Sequence, residues 1–401
     1  MAFLAAKPSR LVIGLTQRLL PAILRSRGVI AVECAEEDRE RLEALRGERV
    51  LLTPNHPTAL DPAIIYHVAK LTNQVFYYLC AREVFDQWWG LWGWLIRRCG
   101  AYSIVRGSVD RESFRMTRGL LARPATKLVI FPEGQTYSQN DSLLPFHSGV
   151  VQLAFWAQED LLKQEDQGWI RVLPVALKYR FVEDVTATIA EALSRLEVGV
   201  GLPVSEGDDY YVRVRRVGET VVGKLEVEYG THPQGGAELG TRMGAVKEAI
   251  IGRVAHLLAI PPPEGELQDR MRSLINAVHR VTDEQPSTRC PYDHRLAADD
   301  RRRMRPMLID LGRLENWVAV YDGYVFAHPS PERLAELIRR LEIEVLGDVH
   351  CTGRQRCTIR LGEPVSLRSH WDCYQANKRD TVDRFTEELE GTVQSLLDAM
   401  A

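Results

Sequence analysis

Three short apolar runs, each meeting a proline, constrain this chain most. They are Arg49-Val50-Leu51-Leu52-Thr53 before Pro54, Lys127-Leu128-Val129-Ile130-Phe131 before Pro132, and Val172-Leu173 through Pro174 into Val175-Ala176-Leu177. Short apolar runs without alternation read as strands covered on both faces. Helical stretches fall between the first two runs, one from Pro62 to about Leu71 and one around Glu112 to Leu121. With the apolar strand at 100–105 between the two helices, the alternation of strand and helix predicts an α/β layer with a mostly parallel central sheet flanked by helices. It also brings the residue after each strand to a common edge.

Beyond Arg180 the periodicity changes. Val185, Ile189, Leu193 and Leu196 form one helical stripe, Met243, Val246, Ile250, Val254 and Leu257 a second, and Leu334, Ile338, Leu341 and Val345 a third. Apolar residues three or four apart predict amphipathic helices. A strand at 357–361 and a helix carrying Val382, Phe385, Leu389, Val393 and Leu396 then close the chain. The expected organisation is a core over 33–181, a mainly helical insertion of unassigned role over 182–351, and a return to the core over 352–401. At 401 residues the chain is long enough for such a division.

Residues 1–32 contain no acid, while Lys7, Arg10, Arg18, Arg25 and Arg27 give them five positive charges. Leu11, Leu15, Leu19 and Ile23 recur every fourth residue, with Arg10, Gln17, Arg18 and Arg25 on the other side. That pattern predicts an amphipathic helix, bent at Pro21. Its apolar stretches fall short of the roughly 18–20 residues a spanning helix needs, so it suits a membrane surface or a packed face of the domain. Trp88, Trp89, Trp92 and Trp94 crowd into seven residues and suit a membrane interface or a buried aromatic cluster.

Composition excludes several classes. With 45% hydrophobic and 26% charged residues the chain is neither disordered nor a multi-span membrane protein. A net charge of −3 lacks the basic excess of a bulk nucleic-acid binder. Seven cysteines with no C-x-x-C pair argue against a disulfide framework and for a reducing compartment, so with the amphipathic 1–32 segment the expected location is cytoplasmic, at the inner face of a membrane.

The first run leads into Asn55-His56-Pro57-Thr58-Ala59-Leu60-Asp61-Pro62. Asp61 before Pro62 has the form of a helix cap, and a turn of this length can fold His56 back onto it. The carboxylate would accept the Nδ1 proton and leave Nε2 as a base. No G-x-S-x-G motif supplies a nucleophile, so the hydroxyl to be activated belongs to a substrate, attacking an acyl carbonyl. The apolar stretch Gly100-Ala101-Tyr102-Ser103-Ile104-Val105 delivers Arg106, whose guanidinium suits phosphate. Phe131-Pro132-Glu133-Gly134 follows the second run, and Gly134 permits close backbone approach to a ligand.

Asn55-His56 with Asp61, then 100–106, then 131–134, then Val172-Leu173-Pro174-Val175 resemble, in order, the four blocks of the glycerolipid acyltransferases. Arg82-Glu83-Val84-Phe85 and Phe146-His147-Ser148-Gly149 also resemble family features, although Lys or Arg is commoner where His147 stands. The resemblance covers about 45–180. It implies transfer of a fatty acyl group from an acyl thioester, coenzyme A or acyl carrier protein, to the hydroxyl of a lysophospholipid. The acceptor it favours is 1-acylglycerol-3-phosphate, giving phosphatidic acid. His56 would be the general base, Asp61 its orienting group, and Asn55, Arg106, Phe131, Pro132, Glu133 and Gly134 would bind substrate. No metal or cofactor is implied. Glycerol 3-phosphate or another lysolipid as acceptor, a thioesterase, and a non-catalytic lipid-binding protein are the alternatives.

Overall fold

The computed structural model describes residues 3–105, 110–231, 237–283, 291–317 and 329–400, with side chains for all of these but 280–283, 291–301 and 303. The chain divides into two compact units, 1–183 with 354–401, and 184–353.

The first unit holds one eight-stranded sheet. Its strands are β1 (Val29–Cys34), β2 (Arg49–Pro54), β3 (Phe76–Ala81), β4 (Ala101–Ile104), β5 (Lys127–Val129), β6 (Ile170–Phe181), β7 (Gln355–Leu361) and β8 (Val365–Ser366). They lie in the order β1-β7-β6-β2-β5-β3-β4, with β8 beside β6. Pairing is parallel from β6 through β2, β5 and β3 to β4. Strand β7 is antiparallel to β6 and parallel to β1. The fold is therefore the mostly parallel α/β sheet that the apolar runs predict.

Helix α1 (Arg10–Ser26) precedes β1, and α2 (Glu36–Ala44), α3 (Asp61–Leu71), α4 (Leu91–Arg98), α5 (Arg111–Leu121) and α6 (Gly149–Lys163) connect the strands from β1 to β6. Because both faces are covered, neighbouring residues of one strand enter different cores. Val50, Leu52, Leu173, Val175 and Leu177 pack with Ile64, Ile65 and Val68 of α3. Leu51, Leu128, Val172 and Ala176 pack with Val151 and Phe155 of α6 on the opposite side. That double burial is why these strands show no polar alternation.

Three strands were not among those expected: β1, β3 and the two-residue β8, which follows Pro364 and pairs with β6. Strand β1 follows α1 after only Arg27 and Gly28, the latter at φ +85°, so a boundary set at 32–33 by charge falls inside it. Strand β3 precedes the 3₁₀ segment Arg82–Gly90, and its sequence, FYYLCA, carries no polar break.

The second unit is helical among the described residues, with α7 (Thr186–Val200), α8 (Tyr210–Tyr229), α9 (Leu239–Leu257), α10 (Leu267–Asp283), α11 (Pro291–Trp317) and α12 (Pro331–Leu346). Buried in it, Glu197 receives Arg213 Nη2 at 2.8 Å and Arg216 Nη2 at 2.6 Å. The chain then returns through β7 and β8 to α13 (Trp371–Ala376) and α14 (Lys378–Ala399). Phe385 of α14 and Tyr374 of α13 both pack against Phe155, the tyrosine ring stacked at 4.1 Å between centroids. Among the described residues no helix is long and apolar enough to cross a membrane.

Candidate active site

Strand β2 stops pairing at Pro54, opposite Val175, while β6 runs six residues further. The backbone of β6 beyond that point needs partners, since buried N–H and C=O groups left unpaired are costly. Two buried asparagines supply them. Asn55 donates from Nδ2 to the Leu177 carbonyl at 3.0 Å and accepts the Leu177 N–H on Oδ1 at 2.7 Å. Asn140 does the same for Tyr179, at 2.5 and 2.7 Å. Each side-chain amide imitates a strand residue, so β2 can turn away into the loop that carries His56.

In that loop His56 Nδ1 lies 2.8 Å from Asp61 Oδ2. Asp61 is fully buried, whereas the His56 side chain is 15% exposed. Asp61 is the first residue of α3, and Leu60 stands at the cap position without a side-chain hydrogen bond. The carboxylate thus turns back into the preceding loop instead of capping its own helix. There Oδ2 accepts the Thr58 N–H at 2.8 Å, and Oδ1 accepts the Thr58 hydroxyl at 2.8 Å and the Tyr179 hydroxyl at 2.5 Å. Burial, and after it the charge of Asp61, holds the Tyr179 phenol well above its ordinary pKa, so it remains a donor. Every donor to Asp61 is neutral except that His56 can become charged. The arrangement fixes the imidazole with Nδ1–H toward the carboxylate. Among the described residues Nε2 makes no hydrogen bond.

The 131–134 loop supports the histidine from the side. Phe131 stacks on the imidazole with ring centroids 4.0 Å apart. Glu133 is fully buried; its Oε1 accepts the His56 N–H and its Oε2 the Leu144 N–H, both at 2.7 Å. Burial pushes its pKa well above the ordinary carboxylate value, against the lowering effect of those two N–H groups. Gly134 turns the chain at φ +70°, a conformation that costs glycine little. The Pro132 carbonyl accepts the His147 N–H at 2.9 Å, and the Pro57 carbonyl accepts the Ser138 N–H at 3.0 Å, which tie the two loops together. Asn55, His56, Asp61, Phe131, Pro132, Glu133 and Gly134 are therefore brought to one edge of the sheet. Arg106 lies outside the described residues.

Three residues of this cluster were not singled out from sequence. Thr58 had a signal, because a hydroxyl three residues before a carboxylate can close a local turn onto it. Tyr179 had one too, since it shares the alternate-residue face of Leu173, Val175 and Leu177. Asn140 had none.

A family model described as Acyltransferase matches residues 34–178. Over 182 residues the chain is 23% identical to a 1-acyl-sn-glycerol-3-phosphate acyltransferase of Streptococcus pneumoniae, covering 45% of this chain and 60% of that one. Over 131 residues it is 31% identical to a lyso-ornithine lipid O-acyltransferase of Pseudomonas aeruginosa, covering 33% of this chain and 43% of that one. The matches thus span 60% and 43% of these curated relatives. Over its 34–178 region the chain is thus similar to the glycerolipid acyltransferases.

Proposed function

We propose that this protein transfers a fatty acyl group from an acyl thioester, coenzyme A or acyl carrier protein, to the free hydroxyl of a lysophospholipid at the cytoplasmic face of a membrane. The observation that carries the reading is His56, with Nδ1 held by the buried Asp61 and Nε2 without a protein partner among the described residues. His56 Nε2 removes the acceptor's hydroxyl proton as its oxygen attacks the thioester carbonyl. The tetrahedral intermediate collapses, the C–S bond breaks, and the imidazolium returns the proton to the departing thiolate. Asp61 stabilises the imidazolium, and Tyr179 and Thr58 hold Asp61 in place. The reaction so drawn needs neither metal nor cofactor.

The buried side chains of Asn55 and Glu133 act in this reading through backbone they position, while Phe131, Pro132 and Gly134 shape the wall beside the imidazole. Arg106 is the proposed partner of an acceptor phosphate. 1-Acylglycerol-3-phosphate is the first acceptor to test, given the relative of that name. The match to a lyso-ornithine lipid enzyme supports a second, in which the acceptor carries no phosphate. Purified wild type and His56→Ala, incubated with acyl-coenzyme A or acyl carrier protein and a panel including both lysolipids and glycerol 3-phosphate, decide the matter by mass spectrometry. Diacyl product from wild type alone supports the reading and names the acceptor. Equal product from His56→Ala would sink the mechanism.

A further inference from the structure

Two apolar features of the first unit have no use inside the fold. Helix α1 buries Ile13, Leu20 and Leu24 and turns Leu11, Leu15, Leu19 and Ile23 outward, the first of them 79% exposed. At 100° per residue the outward leucines form a continuous stripe, and Arg18 and Arg25 run along one side of it. The stripe recognised from spacing is therefore the face that the domain leaves uncovered.

The second feature is the Trp88-Trp89-Gly90 turn. All three residues have left-handed backbone, at φ +50°, +54° and +83°. Only the glycine takes that conformation without steric cost; two successive tryptophans there are strained. Nor is the strain repaid by packing, because Trp89 is fully exposed and Trp88 is 69% exposed. Leu91 and Trp94, at 65% and 51%, extend the apolar surface along α4. The turn is nevertheless held at its base. Phe85 is buried in the core, and a Cβ at Gly93 would stand 2.2 Å from the Phe85 carbonyl oxygen, so α4 lies directly against the segment. The far end of α4 is tied to the approach to α1: the Lys7 N–H donates to the Arg97 carbonyl and the Ser9 N–H to the Arg98 carbonyl, at 3.0 and 2.9 Å.

We infer that the Trp88–Trp89 turn and the outward stripe of α1 together form a docking surface for an anionic lipid bilayer, the tryptophans entering the interface as a wedge. The occupant follows from charge and chemistry. A strained, exposed indole pair has a use where its ring meets acyl chains and its N–H meets headgroups. The residues 1–32 carry five cations and no acid, which suits anionic headgroups and opposes a basic protein partner. The inference deepens the proposed membrane setting and rests on it only for the source of the substrates.

The test is co-sedimentation of the purified full chain, without acyl donor, with vesicles of phosphatidylcholine alone or mixed with phosphatidylglycerol. Wild type should favour the anionic vesicles, and the preference should weaken as salt rises. Trp89→Gly should lower partitioning by roughly tenfold, while its melting temperature holds or rises because the turn is relieved. Leu15→Ser with Leu19→Ser should lower partitioning without removing any side chain from the core. Equal partitioning of wild type and Trp89→Gly overturns the wedge, and indifference to lipid charge overturns the anionic assignment. Dissociation of a wild-type dimer by Trp89→Gly would overturn the inference in favour of a second copy. A wild type that binds vesicles through Trp89 but transfers no acyl group supports the surface and removes the acyl-transfer reading.

Discussion

Two carboxylates, Asp61 in the first unit and Glu197 in the second, are both fully buried and both saturated with hydrogen bonds, yet they are kept in opposite ways. Glu197 is neutralised. Arg213 and Arg216 bring two guanidiniums onto it, and although burial alone would raise its pKa, they hold it below the ordinary value of 4.5. Asp61 faces a peptide N–H, two hydroxyls and an imidazole, with no permanent cation among its hydrogen-bonding partners in the described residues. Hydroxyls and amides hold a carboxylate's geometry while leaving its field to act on the one neighbour that can change charge. A buried acid matched by arginines stabilises packing, whereas one matched by neutral donors can serve a proton transfer.

Breaking the first cluster at its base should have the largest effect. His56→Ala is expected to lower kcat by about 10³-fold with little change in melting temperature, measured by acyl-transfer assay and calorimetry. Glu197→Ala should leave the chemistry intact below the melting transition but cost about 3 kcal/mol in denaturant unfolding, since the buried Arg213 guanidinium loses its partner. The pH dependence sharpens the same contrast. Because the folded pKa of Glu197 is lowered, its contribution is complete above 4.5 and drains as pH falls further, so a Glu197→Gln chain should lose less stability than wild type as pH falls from about 5 to about 3.

Tyr179→Phe removes one donor from Asp61 and no ring volume. A loss of about tenfold in kcat, with a displaced acidic limb in the pH–rate profile and an unchanged KM, would mark Tyr179 as a positioning residue. A rate equal to wild type would leave Thr58 as the group that matters. The smallest effect is expected from Arg216→Met, whose partly exposed guanidinium shares Glu197 with the better buried Arg213. About 1 kcal/mol or less should be lost, read from the denaturation midpoint.

What the sequence reveals follows the distance over which each feature acts. His56 and Asp61 stand five residues apart, and the runs that become β2, β5 and β6 are short and locally apolar, so both are legible without coordinates. Tyr179 reaches Asp61 across 118 positions and Asn140 reaches Tyr179 across 39, contacts set by strand order alone. Strand β1 was hidden because it begins two residues after an amphipathic helix and shares its apolar character. The outward stripe of α1 was visible as a stripe, but its direction depends on which of two apolar faces the sheet covers.

The paired amides of Asn55 and Asn140 have a consequence outside catalysis. Where β2 leaves the sheet, β6 would present a bare hydrogen-bonding rim, the kind of template to which another chain can add a strand. Two asparagines close that rim without a backbone neighbour, so the place where β2 leaves the sheet for the His56 loop offers no purchase for edge-to-edge pairing. The same side chains that let β2 turn away into the His56 loop leave no free strand-pairing template in the gap.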